Sequence, residues 1–151
     1  MSTSSGPILI CYDGSADADR AIDAAAALFA PRRAVVLDVA PAMALGESLV
    51  LTSAIVPRNA FEDLKRDDAL RRARAGAERA RRVGFDAEPR AVVAATPWEG
   101  IADAADEIDA AVIVIGSRGL GGLAEAVRGS VSHDVAAHAR RPVLVVPPAP
   151  A

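Results

Sequence analysis

Along the 151-residue chain, short unbroken apolar runs alternate with longer stretches in which apolar residues recur three or four positions apart. The first run, Ile8-Leu9-Ile10-Cys11-Tyr12, opens after Pro7 and is bounded by Asp13-Gly14-Ser15. Its length and flanks predict a buried strand. Ser15 then supplies an N-cap, and Asp17 and Asp19 suit the positive end of a first helical turn. Ala18, Ala21, Ile22, Ala25 and Leu28 share one helical face, which Pro31 ends. Further strands are predicted over 34–39, over 85–94 with an interruption at Pro89, over 112–115 and over 143–146. Helical periodicity fills 61–83, where Phe61, Leu64, Ala73, Ala77 and Ala80 form a stripe and Gly84 supplies the stop. It returns after Thr96-Pro97-Trp98-Glu99, a capping box with Ile101, Ala105 and Ile108 on the following face. A last helical pattern begins at Gly129-Ser130.

Apolar strands alternating with amphipathic helices predict a parallel sheet covered on both faces. The expected architecture is a single doubly wound α/β domain with a five-stranded parallel sheet in the order 3-2-1-4-5. Residues 1–6 read as a flexible lead and 7–148 as the domain. The segment 40–59, with Pro41, Gly46 and Pro57 around the apolar patch 49–56, is long for a connection and suits a lid or an interface. In such sheets ligands sit at the carboxyl ends of the strands, beside the point where strand order reverses. Asp13-Gly14-Ser15 and the glycine-rich stretch after strand four both lie at carboxyl ends.

Composition removes several classes of function. A formal net charge of −3 argues against a general nucleic-acid or membrane-surface binder. Cys11 is the only cysteine, which excludes an intramolecular disulfide and a cysteine-rich zinc site. No stretch approaches a membrane span, and MSTSSGP has neither the basic nor the apolar part of a signal peptide, so a cytoplasmic location is expected. His133 and His138 lie in the last helix without a ligand set at metal spacing and read as surface or packing residues. Cys11, inside the first strand, reads as an inert core thiol.

The candidate chemistry lies in residues 116–140, GSRGLGGLAEAVRGSVSHDVAAHAR. A strand, a glycine loop, a hydroxyl and a helix start make a cradle for an anion, because glycine admits close approach to the main chain and a helix N-terminus presents unpaired donors. The Gly-Lys-Ser/Thr of a Walker loop is absent, and the first strand ends in Asp13-Gly14-Ser15 rather than in a dinucleotide fingerprint. What occurs is Gly116, two residues, Gly119, nine residues, then Gly129-Ser130. With CYDGS after strand one, LDV in strand two, SRG after Gly116, GSVS opening the last helix and the closing RPVLVVP, the chain resembles the universal stress protein family, specifically its ATP-binding branch.

The resemblance implies that Gly116, Gly119, Gly129 and Ser130 line the triphosphate and ribose of ATP, with the backbone of Val131 as a further donor. Asp13 and the backbone at Val39 then meet the adenine end. A carboxylate repels phosphates, so Asp13 is expected to face the base, the ribose hydroxyls or a bound Mg2+. Arg118 and Arg128 bracket the loop and are placed to neutralise phosphate charge. Where family members often carry a glycine before the proline that opens the third helix, this chain has Ala95-Thr96. The implied protein is a nucleotide-binding stress-response regulator with slow or no hydrolysis, since no base or catalytic lysine suits phosphoryl transfer. It is expected to pair as a homodimer through the last strand, Val143 to Val146, and to signal to an unidentified protein partner. Two alternatives stay open: a dimeric interaction module that takes no nucleotide, and an ATP α-hydrolase-type enzyme, whose usual SGGxDS loop CYDGS does not match.

Overall fold

The structure, a computed structural model, describes residues 5–42, 57–117 and 130–150. Five strands, β1 (Ile8–Cys11), β2 (Arg33–Pro41), β3 (Asp86–Ala94), β4 (Val112–Gly116) and β5 (Val143–Val146), form one sheet in the order β3-β2-β1-β4-β5. Every neighbouring pair is parallel. The described helices are α1 (Ala16–Leu28), α2 (Arg58–Arg82), α3 (Pro97–Glu107) and α4 (Ser130–His138). The expected strand order and fold class are therefore those observed.

The two-residue period of the strands sorts the core into two layers. Ile8, Ile10, Val36 and Val114 point to one face, where Ala18, Ala21, Ile22 and Ala25 of α1 and Ala77 and Ala80 of α2 cover them. Leu9, Cys11, Val35, Leu37, Ile113 and Ile115 point to the other, under Ile101, Ala104 and Ala105 of α3 and Val135 of α4. β1 is buried on both faces along its whole length, as a central parallel strand must be. Small residues on the helices let α1 and α2 lie close to the sheet. At Gly76 a Cβ would stand 2.7 Å from Tyr12 Cδ1 and 2.8 Å from Val36 Cγ1, so only glycine allows α2 that approach.

Local signals were decisive in some places and were overridden in others. Ser15 caps α1, its side chain accepting from the Ala18 amide at 3.1 Å. Leu28 does not join the core and is 64% exposed; Phe29, the next residue, packs against the core instead. In α2 the buried stripe is Ala69, Ala73, Ala77 and Ala80, while Leu64 is exposed, because only the later turns are pressed against the sheet. The helix begins at Arg58, earlier than its apolar periodicity. Gly84 ends it with φ +109°, in the left-handed region that favours glycine. Thr96 stands at the N-cap of α3 with no side-chain capping bond, so the capping box predicted there is not formed. β3 runs straight through Pro89 because it is an edge strand, where one side of the backbone has no ladder to satisfy.

Candidate functional site

β1 has β2 on one side and β4 on the other, so the chain's crossovers leave it in opposite directions, the point at whose carboxyl end open α/β sheets form their ligand crevice. Five of the expected site positions, Asp13, Val39, Gly116, Ser130 and Val131, lie on that carboxyl-end side of the sheet. Asp13 lies two residues past the end of β1, and its Oδ1 accepts a hydrogen bond from the Ser15 amide at 2.9 Å. This is an Asx-turn closed on itself, and it needs Gly14 at φ +83°. Val39 lies in β2, paired to Val92 of β3 in register. The Leu37 carbonyl accepts from the Tyr12 amide at 2.8 Å, so Leu37 turns its main chain toward β1. Val39, two residues on, turns its own main chain the same way, just past the last residue of β1. Its side chain is buried on the α3 face.

Gly116 is the last residue of β4. A Cβ there would lie 3.2 Å from the Asp17 carbonyl oxygen in the first turn of α1, so this glycine already has a packing reason to be small. The Ser117 amide donates to the Val146 carbonyl at 2.8 Å, and the Ser132 hydroxyl lies 3.4 Å from the Ser117 carbonyl. The start of α4 is thereby tied to the end of β4. Ser130 is the first residue of α4 and Val131 the second, so both stand at the amide-rich end of a helix. Arg118, Gly119, Arg128 and Gly129 lie outside the described residues, as does the apolar patch 49–56.

A residue that the sequence alone did not single out stands beside Asp13. Asp38 of β2 is only 1% exposed, on the α1–α2 side of the sheet, and its Oδ2 accepts from Arg72 Nε of α2 at 2.5 Å. Burial pushes its carboxyl up from the usual carboxylate range, the Arg72 hydrogen bond and charge oppose that shift, and Asp13 adds to it. The clue available was the charged residue inside the apolar run 34–39, where an unpaired carboxylate would be costly. On the same face Tyr12 donates its hydroxyl to Asp19 at 2.9 Å, and Arg79 of α2 pairs with Asp23 at 2.8 Å. Cys11 is buried, its thiol pushed up to about 12 chiefly by that burial. Trp98 stacks on His138 at 4.8 Å between ring centroids, joining α3 to α4 and giving His138 a packing role. Among the described residues no group of three His, Cys, Asp or Glu side chains is placed to hold a metal, and no helix is long and apolar enough to cross a membrane.

The family model of the universal stress protein family matches residues 5–147. Universal stress protein YxiE of Bacillus subtilis (strain 168) is 31% identical over 144 residues, covering 92% of this chain and 97% of its own. Among solved structures, the hypothetical protein MJ0577 has the same fold at a TM-score of 0.76 with 24% identity, covering 98% of this chain and 99% of that one. A universal stress protein solved in complex with cAMP superposes at a TM-score of 0.60 with 26% identity, over 93% of this chain and 95% of that one. The family match spans both sides of the crevice and all five strands, and on that ground the chain belongs to the universal stress protein family.

Proposed function

We propose that this chain binds an adenine nucleotide at the carboxyl ends of β1 and β4, with ATP and Mg2+ as its ligands and a regulatory rather than a metabolic role. What supports this reading is that the Asp13 turn, the Val39 main chain, Gly116 and the start of α4 all stand at the carboxyl-end side of the sheet beside β1. The groups fit the two halves of a nucleotide. The Asp13 carboxylate and the Val39 backbone offer acceptors and a donor to a base and ribose. Ser130 and Val131 offer helix N-terminal amides to phosphate. Asp13 would share the metal with the phosphate oxygens, since a hard divalent cation takes oxygen ligands. The glycine spacing through 129 and the cAMP complex of a relative point to the same ligand class. The Asp13 carboxylate, held by the Ser15 amide, is assigned to the nucleoside and the metal, and in this reading the chain holds and senses a nucleotide rather than hydrolysing it.

The regulatory output is assigned to a homodimer. β5 is an edge strand with Val145 40% exposed, and sheet edges are paired or blocked in stable proteins. Equilibrium dialysis with ATP, AMP and cAMP tests the ligand, and Gly129→Asp tests the phosphate half. The expected result is uptake by the wild type and none by a folded Gly129→Asp protein. Wild-type protein that takes up no adenine nucleotide at millimolar concentration overturns the proposal in favour of an interaction module. Sedimentation of wild type against Val145→Asp tests the dimer, which the charge is expected to dissociate.

A further inference from the structure

One face of α2 is fastened around the exit of β1 at three successive levels, to β2, to Tyr12 and to α1. At the first, Arg72 reaches from solvent, its side chain 44% exposed, to the Asp38 carboxylate, which is 2% exposed. At the second, Gly76 lies against the Tyr12 ring. At the third, Arg79 meets Asp19 at 3.7 Å and Asp23 at 2.8 Å, and Asp19 accepts from the Tyr12 hydroxyl. Positions 72, 76 and 79 are four and three residues apart, which places them on one side of a helix.

The first level is the one nearest the crevice. On its way to Asp38, the Arg72 stem passes close to the Asp13 turn: a Cβ added at Gly14 would lie 3.6 Å from Arg72 Cδ. Arg72 is the only described side chain that donates to Asp38. The arginine therefore pairs with the buried carboxylate one residue before Val39 and passes beside the glycine one residue after Asp13. Removing it leaves an unpaired buried carboxylate next to Asp13 and empties the space beside Gly14.

We propose that Arg72 is a positioning residue of the nucleotide site: its ion pair with Asp38 and its stem passing beside Gly14 fix the Asp13 turn, and so set affinity for the nucleoside half of the ligand. The proposal rests on the nucleotide assignment above. It separates the two halves of the crevice, because no described contact of Arg72 reaches β4 or α4, where the phosphates are assigned.

The test uses the full chain as wild type, Arg72→Met, Arg72→Lys and the double variant Arg72→Met with Asp38→Asn, which removes the stranded charge should Arg72→Met fail to fold. ATP is measured by equilibrium dialysis and inorganic tripolyphosphate by competition. Amide exchange at Gly14 and Ser15 is followed without ligand. In the folded Arg72→Met variants ATP binding is expected to weaken about tenfold and the Ser15 amide to exchange about tenfold faster, while tripolyphosphate binding stays within twofold of wild type. Arg72→Lys, which keeps a cation, recovers part of both losses. ATP binding unchanged in a folded Arg72 variant overturns the assignment of Arg72 alone. Equal losses for ATP and tripolyphosphate overturn it too, since they mark a merely structural role. Wild-type protein that takes up neither ligand overturns the nucleotide assignment, and this one with it.

Discussion

Gly76→Ala sets two well-defined effects against each other. In the middle of a 25-residue helix, alanine is favoured over glycine by about 1 kcal/mol. Against this, the new methyl would sit 2.7 Å from both Tyr12 Cδ1 and Cγ and 2.8 Å from Val36 Cγ1. Carbon atoms rest about 3.5–4.0 Å apart, so all three contacts are about 1 Å too close. Neither neighbour can swing away: Tyr12 and Val36 are buried, and the Tyr12 hydroxyl is held by Asp19. Overpacking of this kind costs about 1–3 kcal/mol, and three simultaneous clashes with buried groups place this site near the upper end. The clash therefore wins, leaving a net loss of about 2 kcal/mol, or about 4–8 °C in Tm for a domain of this size. Urea unfolding followed by the fluorescence of Trp98, the only tryptophan, measures it. Ala75→Gly, at the exposed neighbouring position, calibrates helix propensity alone and should cost about 1 kcal/mol. Val36→Ala should cost less in the Gly76→Ala background than in wild type, with a coupling of at least about 0.5 kcal/mol. A Gly76→Ala protein as stable as wild type or more so would refute the claim that close approach, and not chance, keeps glycine there.

Other consequences are read by titration and labelling. Tyr12 is the only tyrosine, and burial first, then its hydrogen bond to Asp19, pushes its phenol up to about 12. At pH 11 absorbance at 295 nm should show roughly one tenth phenolate, against roughly nine tenths for an ordinary phenol of pKa ~10. The folded value is the higher one, so this contribution to stability is complete below pH ~10 and is lost as pH rises through about 12. Half-titration near pH 10 with the far-ultraviolet dichroism still native would contradict the burial argument. Cys11, its thiol pushed up to about 12, should resist a thiol reagent at pH 8 in the native protein and release one full equivalent in denaturant. Rapid stoichiometric labelling of native protein would show that β1 opens readily. Leu28→Ser and Leu64→Ser, at exposed helix positions, should each change stability by less than about 0.5 kcal/mol in urea unfolding.

The alternation of apolar runs with helical periodicity was enough to place all five strands and the described helices, because a central parallel strand has no solvent face and so cannot hide its identity. Crossover handedness and that alternation together made a doubly wound parallel sheet legible, while the order 3-2-1-4-5 is one of several that such sheets allow. Asp13 was legible as well: an Asp-Gly-Ser after a buried run is a turn by local chemistry, and the turn lies where strand order reverses. Pairing and depth were not legible. Asp38 and Arg72 are 34 residues apart, and nothing local says that α2 crosses the end of β2 with an arginine over a buried carboxylate. Gly76 looks like a defect in a helix until the Tyr12 ring is seen against it. The capping box at Thr96 was written in the sequence and left unused, and Leu28 fitted the apolar face yet stayed in solvent. Periodicity and turn residues act within a few positions and determine which elements form. Which side chains meet across the sheet depends on contacts distant in sequence, and only the tertiary structure decides those.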